Sequence, residues 1–174
     1  MNPEPNPNPA RAARDHVIAL LTRLPSSLGG GWSLDDATQP DWPAWRAAED
    51  LSVALRIGAR ELIFMHSLDL ERSARLVVEC RCGVVPKFSG IESYHTLLAR
   101  NHQNFPNHPS IYALDSSTNT VVFITSYLLE SLDADMLSHV VVDAARRAMS
   151  WQEEFAPASD PSCGEGTSPL VPRI

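Results

Sequence analysis

Residues 110–128, SIYALDSSTNTVVFITSYL, contain two short apolar runs separated by only five polar residues. β-Branched and aromatic residues dominate the second run, and Val121, Phe123 and Thr125 occupy alternating positions, as they do in a strand. The Asp, Ser, Thr and Asn residues between the runs favour a turn, because their side chains can bond nearby backbone groups. A connection this short joins antiparallel neighbours. The segment therefore predicts a β-hairpin.

Three further strands are predicted upstream, because apolar residues alternate in three consecutive segments joined by short turns. The turns are Gly58-Ala59 and Asp69–Ser73. The alternating residues are Val53, Leu55 and Ile57 in the first segment, Leu62, Phe64 and His66 in the second, and Leu76, Val78, Cys80 and Cys82 in the third.

Three helices are predicted around these strands. Apolar residues at helical spacing indicate a helix over residues 10–24, which we expect Pro25 to end. Ser89 and Glu92 form a capping box ahead of a second helix over 90–101, and Asp133 is a candidate N-cap for a third over 133–154. The stripe expected to be buried on the last helix is Met136, Leu137, Val140, Val141, Ala144, Ala148 and Trp151. The order α-β-β-β-α-β-β-α predicts an α+β fold, an antiparallel sheet of about five strands with three helices.

The chain of 174 residues is expected to form a single domain over residues 10–155. Alternating prolines predict an extended, disordered arm over 1–9, and a Pro-, Ser- and Gly-rich composition predicts a disordered tail over 156–174. Residues 26–50 are interpreted as a variable connector, in which Trp42, Pro43 and Trp45 indicate the start of a short helix. The sequence LVPR near the end resembles a thrombin recognition sequence and is given no functional weight.

The charge and hydropathy of the chain restrict its partners. A net charge of −7 would repel a phosphate backbone and an anionic membrane, so we expect neither nucleic acid binding nor membrane insertion. No apolar run approaches the ~18 residues that a membrane span needs, and the N-terminal sequence has no signal-peptide pattern. These features predict a cytosolic protein whose partner is a basic or weakly charged protein segment.

Few residues suggest reactive chemistry. Cys80 and Cys82 are one residue apart, whereas zinc sites use wider gaps and a second ligand pair. His95, His102 and His108 lie in one stretch without a carboxylate at ligand spacing. We interpret these residues as structural, and the sequence contains no nucleophile elbow, phosphate loop or dinucleotide motif. A small metal- or thiol-dependent enzyme using these cysteines and histidines remains the alternative.

Residues 97–155 resemble the C-terminal half of class I type III secretion chaperones, the Tir-chaperone or CesT-like family. The similar features occur in the family's order. A leucine-bearing helix precedes a strand with the aliphatic residues of IYAL, and a turn leads to the aliphatic strand VVFI. The stretch LESLDADML then enters a last helix that ends in Trp151 and acidic residues. Within the family, the narrower interpretation is an HpaB-like, broad-specificity export chaperone.

The resemblance implies a protein that is not an enzyme and needs no cofactor or metal. It implies a homodimer in the bacterial cytoplasm that binds the N-terminal segment of secreted effector proteins. Such a chaperone keeps the segment unfolded and export-competent and delivers it to the secretion ATPase. A regulatory adaptor of secretion with the same fold is a second alternative.

A chaperone of this kind needs apolar surface, and the strands supply apolar residues at both parities, only one of which can pack under the helices. The sequence leaves open which parity faces outward. The second predicted helix would meet its symmetry mate through Tyr94 and Leu98. The candidate client-binding residues are Ile18, Leu21, Ile63, Met65, Val77, Val122 and Ile124.

Overall fold

The structure, a computed structural model, describes residues 8–28, 42–57, 60–69, 72–85, 90–104 and 110–155. Within these ranges, four α-helices and five strands follow one another along the chain. A single 3-10 turn, Leu129–Ser131, precedes the last helix. In chain order the elements are α1 (Pro9–Ser27), α2 (Trp42–Ala47), β1 (Asp50–Ile57), β2 (Arg60–Ser67), β3 (Arg75–Val84), α3 (Gly90–Asn104), β4 (Ser110–Asp115), β5 (Thr120–Leu128) and α4 (Ala134–Phe155).

The five strands form one antiparallel sheet in the order β1-β2-β3-β5-β4. Because β5 pairs with both β3 and β4, it places the hairpin β4-β5 beside the meander β1-β2-β3. The predicted α+β fold and the order of its elements are confirmed. The short α2 is added to the three predicted helices, and it lies where Trp42, Pro43 and Trp45 indicated a helix.

The hairpin over residues 110–128 is confirmed, and its turn is held by one carboxylate. Asp115 Oδ1 accepts hydrogen bonds from the backbone N–H of Ser117, at 3.0 Å, and from its hydroxyl, at 2.6 Å. Its Oδ2 accepts from the Thr118 hydroxyl at 2.7 Å. These hydrogen bonds stabilise the ionised form and lower the pKa of Asp115 to about 2. Asn119 ends the turn with a φ of 53°, a left-handed conformation that asparagine tolerates better than most residues.

The core lies between one face of the sheet and the two long helices, α1 and α4. Apolar residues of alternate parity on the strands meet apolar stripes of these helices, and Trp151 of α4 is only 1% exposed. The strand residues on this inner face are Leu51, Val53, Leu62, Phe64, Leu76, Val78, Cys80, Cys82, Val121, Phe123 and Tyr112.

The prediction that Pro25 ends the first helix is wrong, because α1 continues to Ser27. The additional turn brings Leu28 four residues beyond Leu24, onto the same face of the helix, and both side chains are buried in the core. Burying Leu28 offsets the one backbone hydrogen bond that a proline near the end of a helix removes. At its start, α1 is capped by Asn8, whose Oδ1 accepts from the Ala10 N–H at 3.0 Å.

For the last helix, the predicted N-cap is confirmed, and so are all but one of the residues predicted to be buried. Asp133 Oδ1 accepts from the Met136 N–H at 2.7 Å, so Asp133 is the N-cap. Met136 itself was assigned to the buried stripe, and this is wrong, because its side chain is 47% exposed. Consecutive helix residues are rotated by about 100°, so Met136, directly before the fully buried Leu137, lies at the flank of the stripe and faces solvent.

Several sequence expectations concern residues outside the described ranges. They include most of the arm 1–9, the tail 156–174 with the sequence LVPR, and residues 29–41 of the connector. The turn Gly58-Ala59, the capping residue Ser89 and His108 also lie outside them. Among the helices that are described, none combines the length and the apolar composition of a membrane span.

Candidate functional site

The side of the sheet that faces away from α1 and α4 is the candidate site, and we call it the outer face. Along β2 the inner residues are buried, whereas the alternate residues on the outer face are half-buried. The strands place the following residues on it: Ser52, Ala54, Arg56, Glu61, Ile63, Met65, Val77, Glu79, Arg81, Val122, Ile124, Ser126, Ile111 and Ala113.

A single row of cross-strand neighbours runs through the middle of the outer face. Ile63 of β2 pairs with Glu79 of β3, and Glu79 pairs with Ile124 of β5. Ala54 and Ile111 extend the row to the two edge strands. Since neighbouring strands lie about 4.8 Å apart, this row is an apolar band about 20 Å long with one carboxylate near its middle.

A shallow cavity of about 540 Å³ opens beside this band, at the end of β1, β2 and β3. Met65 and Val77, which are cross-strand partners, contribute apolar surface to it. Arg72 and Arg75 lie on one side, and Asp50 also lines the cavity. The cavity therefore combines an apolar floor with charged groups of both signs at its rim, and it can accept an apolar side chain of a partner.

The opposite end of the outer face is polar. Arg81 of β3 forms an ion pair with Glu61 of β2, with Arg81 Nη1 3.2 Å from Glu61 Oε2. Arg56 of β1 is the cross-strand partner of Glu61. Apolar surface is therefore concentrated in the middle of the face and at the end that carries the cavity.

The structure separates the candidate client-binding residues into two groups. Ile63, Met65, Val77 and Ile124 lie half-buried on the outer face and close together. The remaining three side chains are buried within the chain itself, at 5% exposure or less, and we do not include them in the proposed surface. They are Ile18, Leu21 and Val122.

The two residues expected at a dimer interface are both exposed on α3. Tyr94 is 41% exposed and Leu98 is 67% exposed, and Ile91 on the same side of the helix is 74% exposed. Ile111 of β4, which lies next to α3 in the fold, is 52% exposed. Ile91, Tyr94 and Leu98 form a second apolar surface, which we call the α3 surface, whereas Ile111 belongs to the outer face.

The two edges of the sheet differ in their backbone hydrogen bonding. At β4, the Asn101 side chain accepts from the Tyr112 N–H at 2.7 Å and donates to the Tyr112 carbonyl at 2.9 Å. At β1, the carbonyl of Glu49 accepts from the Leu68 N–H, so by alternation the backbone groups of Ser52 and Ala54 face away from β2. The α3 helix therefore occupies one edge, whereas at β1 no strand of the described residues pairs with the outer edge, which an extended chain could join.

A buried arginine fixes the position of β1 and β2 beneath the helices. Arg14 of α1 is 1% exposed. Its Nε donates to Nδ1 of His66 at 2.9 Å, and its terminal nitrogens donate to the carbonyls of Trp45, Ala48, Glu49 and His66. All five guanidinium donors are used, so this one side chain connects α1 to α2, to Ala48 and Glu49 directly before β1, and to β2.

His66 is held neutral by this arrangement. Its Nδ1 accepts from Arg14, and its Nε2 lies 2.9 Å from the Ser73 carbonyl, to which it donates. Burial and the adjacent guanidinium lower the pKa of His66. Arg14 follows the apolar spacing of α1, four residues after Ala10 and three before Val17, and this position was a sequence signal for a buried arginine that our prediction missed.

The cysteines and histidines named for the alternative enzyme are not brought together. Cys80 and Cys82 are fully buried on the inner face, and burial raises the pKa of their thiols to about 11 and about 12. Both thiols are therefore protonated and shielded at neutral pH. His95 and His102 are exposed on α3. In the part of the chain that the structure describes, no three His, Cys, Asp or Glu residues group as metal ligands.

Comparison with known proteins supports the fold independently. A chain in the crystal structure of the ExsC–ExsE complex is similar, with 18% identity, a TM-score of 0.57, and coverage of 84% of this chain and 98% of that chain. A chain in the structure of the HopA1–SchA chaperone–effector complex matches with 18% identity and a TM-score of 0.54, covering 82% of this chain and 97% of that chain. A comparison with curated protein sequences finds no significant match.

The family is established by the sequence itself. The model of the Tir chaperone protein (CesT) family matches residues 41–152, which include α2, all five strands and most of α4. This range is well over half of the 174 residues. The chain belongs to the Tir chaperone protein (CesT) family.

Proposed function

We propose that this protein is a type III secretion chaperone that binds the N-terminal segment of secreted effector proteins. The observation that carries the proposal is the outer face, where Ile63, Met65, Val77 and Ile124 remain only partly buried after the chain has folded. Membership in the family supports it, as does the structural likeness to a chain from a chaperone–effector complex. The chaperone keeps the bound segment unfolded and delivers it to the secretion ATPase.

The shape of the outer face favours an extended client. A twisted sheet surface presents shallow rows of side chains, which an extended, unfolded segment can follow. Fully burying one aliphatic side chain contributes about 1.5–3 kcal/mol, so completing the burial of one that is already more than half-buried contributes roughly 0.5–1 kcal/mol. Ordering the client costs several kcal/mol, so several such contacts are required for useful affinity. The edge of β1, which no other described strand pairs with, can add backbone hydrogen bonds to the same client.

Two copies of the chain would provide twice this surface, and we propose that the α3 surface joins them as a homodimer. Tyr94 and Leu98 lie one helical turn apart and are both exposed. A two-fold interface places such a patch against its own copy, so the residues that are exposed in one chain become buried in the pair. We propose that the dimer works in the bacterial cytoplasm.

The proposed function needs no cofactor and no covalent step. Client binding uses apolar area and backbone groups, whereas the two thiols of Cys80 and Cys82 pack in the core. Their contribution is to packing, as expected for buried cysteine.

Calorimetric titration with effector N-terminal segments tests the proposal. Clients are to be taken from effector genes that neighbour the gene for this protein. We expect saturable binding with a negative heat-capacity change, because apolar surface is removed from water. Ile63→Asp and Ile124→Asp, in protein shown to be folded by circular dichroism, should weaken binding at least tenfold each, which corresponds to about 1.4 kcal/mol.

The matched control is Met149→Asp. Met149 is also apolar and 44% exposed, but it lies on α4, on the other side of the sheet. This variant should bind as the wild type does. If all three aspartate variants stay folded and bind equally well, the outer face is not the client surface.

A further inference from the structure

Glu79 differs from its neighbours on the outer face. It lies in the middle row, between its cross-strand partners Ile63 and Ile124, and its side chain is half-buried. Val77, two residues earlier on the same strand, is also apolar. The position therefore places a carboxylate inside the surface that the proposed function assigns to the client.

The Glu79 carboxylate has no protein partner within the described residues: neither a hydrogen bond nor an ion pair involves it. Arg81, the cation two residues along the same strand, is paired with Glu61 instead. Burial raises the pKa of Glu79, and Arg81 lowers it, while Asp115 and Glu61 act in the same direction as burial. Because the Glu79 side chain is only half-buried, its carboxylate can be hydrated by solvent when no client is bound.

A client that covers the outer face would remove that water. Burying an ionised carboxylate without a partner is strongly unfavourable, whereas a buried carboxylate paired with a lysine or arginine is tolerated. Resting on the proposed function, we infer that Glu79 selects clients, and that a bound segment places a lysine or arginine against Glu79 with aliphatic residues on either side.

The sheet geometry sets the spacing of the selected residues. Ile63 and Ile124 are two strand spacings apart, which is roughly 10 Å. An extended chain covers this distance in about three residues. The basic residue therefore lies within about two positions of an aliphatic residue on each side. The net charge of −7 already favours a basic or weakly charged client, and the geometry at Glu79 assigns the positive charge of that client to one position.

The same carboxylate argues against the outer face as the contact between two copies of this chain. A two-fold axis near the centre of the face would bring two Glu79 side chains together in a dry interface, and like charges at short distance are unfavourable. The proposed self-contact on the α3 surface avoids this repulsion, because its three side chains are uncharged.

Selection from a random displayed-peptide library on the purified full chain tests the inference. The wild type should enrich peptides in which lysine or arginine is flanked by aliphatic residues. Glu79→Gln should keep the aliphatic preference and lose the basic one, and Glu79→Lys should enrich aspartate or glutamate instead. Glu130→Gln is the control, because it removes one negative charge from an exposed position in the turn before α4.

A quantitative version uses a synthetic consensus peptide and its analogue with norleucine in place of the basic residue. By fluorescence anisotropy, the wild type should bind the analogue about tenfold more weakly, as expected for losing a hydrogen bond between charged groups. Glu79→Gln should bind the two peptides equally, and urea unfolding should show that this nearly isosteric variant is folded.

The outcomes separate this inference from the proposed function. The role of Glu79 would be overturned if the enriched peptides were aliphatic without any preference for lysine or arginine, or if Glu79→Gln retained that preference. Either result would leave the outer face as the client surface. If the wild type and every variant enrich no peptide at all, both the client surface and the selection by Glu79 are refuted.

Discussion

Replacing Arg14 by methionine should destabilise the protein by about 3 kcal/mol. Methionine keeps most of the apolar stem of the arginine but provides none of its five hydrogen-bond donors. The change therefore tests whether one buried guanidinium holds the first two strands against the helices.

The magnitude follows from the groups that lose their partner. Two of the bonds are fully buried: Arg14 Nε to His66 Nδ1 at 2.9 Å, and Arg14 Nη2 to the His66 carbonyl at 3.0 Å. Leaving a buried acceptor unsatisfied costs about 1–3 kcal/mol, which gives about 2–6 kcal/mol for the pair. The carbonyls of Trp45, Ala48 and Glu49 are partly buried, and water can replace the arginine there. Removing the buried guanidinium also removes the free-energy cost of its desolvation, which offsets part of this loss. The net destabilisation therefore lies in the lower half of this range.

Urea unfolding followed by circular dichroism at neutral pH measures the change. A domain of this size has a free energy of unfolding of about 5–15 kcal/mol, so a loss of about 3 kcal/mol moves the midpoint clearly. Arg11→Met, on the exposed side of the same helix, is the matched control and should change the stability by less than about 0.5 kcal/mol. Equal midpoints for the two variants would refute the structural role of Arg14.

Three further predictions concern single features of the fold. Because burial lowers the pKa of His66, the unfolded chain binds a proton at this residue before the folded chain does as the pH falls. The free energy of unfolding should therefore decrease below about pH 6.5. His66→Asn should flatten this dependence in a pH series of urea titrations. A dependence that His66→Asn leaves unchanged would contradict this. Light scattering should show a wild-type dimer of about twice 19.1 kDa, and Leu98→Asp or Tyr94→Asp should each convert it into a folded monomer. A wild type that is already monomeric at micromolar concentration would contradict the dimer. Replacing Cys80 and Cys82 together by serine should lower the unfolding midpoint and leave client affinity unchanged, whereas stoichiometric zinc in the wild type that this variant loses would contradict a packing role.

The sequence was sufficient to predict the order of helices and strands, because local patterns determine it. Alternation defined the strands, the turn residues before Asn119 defined the last hairpin, and Asp133 defined the start of α4. The end of α1 was not predictable from Pro25 alone, since it depends on the space that the core offers to Leu28. Met136 was misassigned because helical periodicity does not show how wide the buried stripe is, and Met136 lies at its flank.

The candidate site was less predictable than the fold. Apolar residues at both parities indicated a two-sided sheet, but only packing shows that Ile63 and Met65 face outward, whereas Val122 of the same set is covered. The environment of Glu79 depends on cross-strand register, which brings Ile63 and Ile124 beside it from segments 16 and 45 residues away in sequence. Sequence alternation around Glu79 indicates only a polar residue on one strand face. The Asn101 cap of the β4 edge likewise depends on a contact between α3 and a neighbouring strand.

Isoleucine methyl NMR tests the central claim, that the client lies on the outer face, most directly. Ile63 and Ile124 report on this face, Ile91 on the α3 surface, and Ile18 on the buried side of α1. Adding an unfolded effector N-terminal segment should shift the methyl signals of Ile63 and Ile124 in a saturable manner, while the signal of Ile18 stays unchanged. Saturable shifts at Ile18 or Ile91, with Ile63 and Ile124 unchanged, would contradict the account.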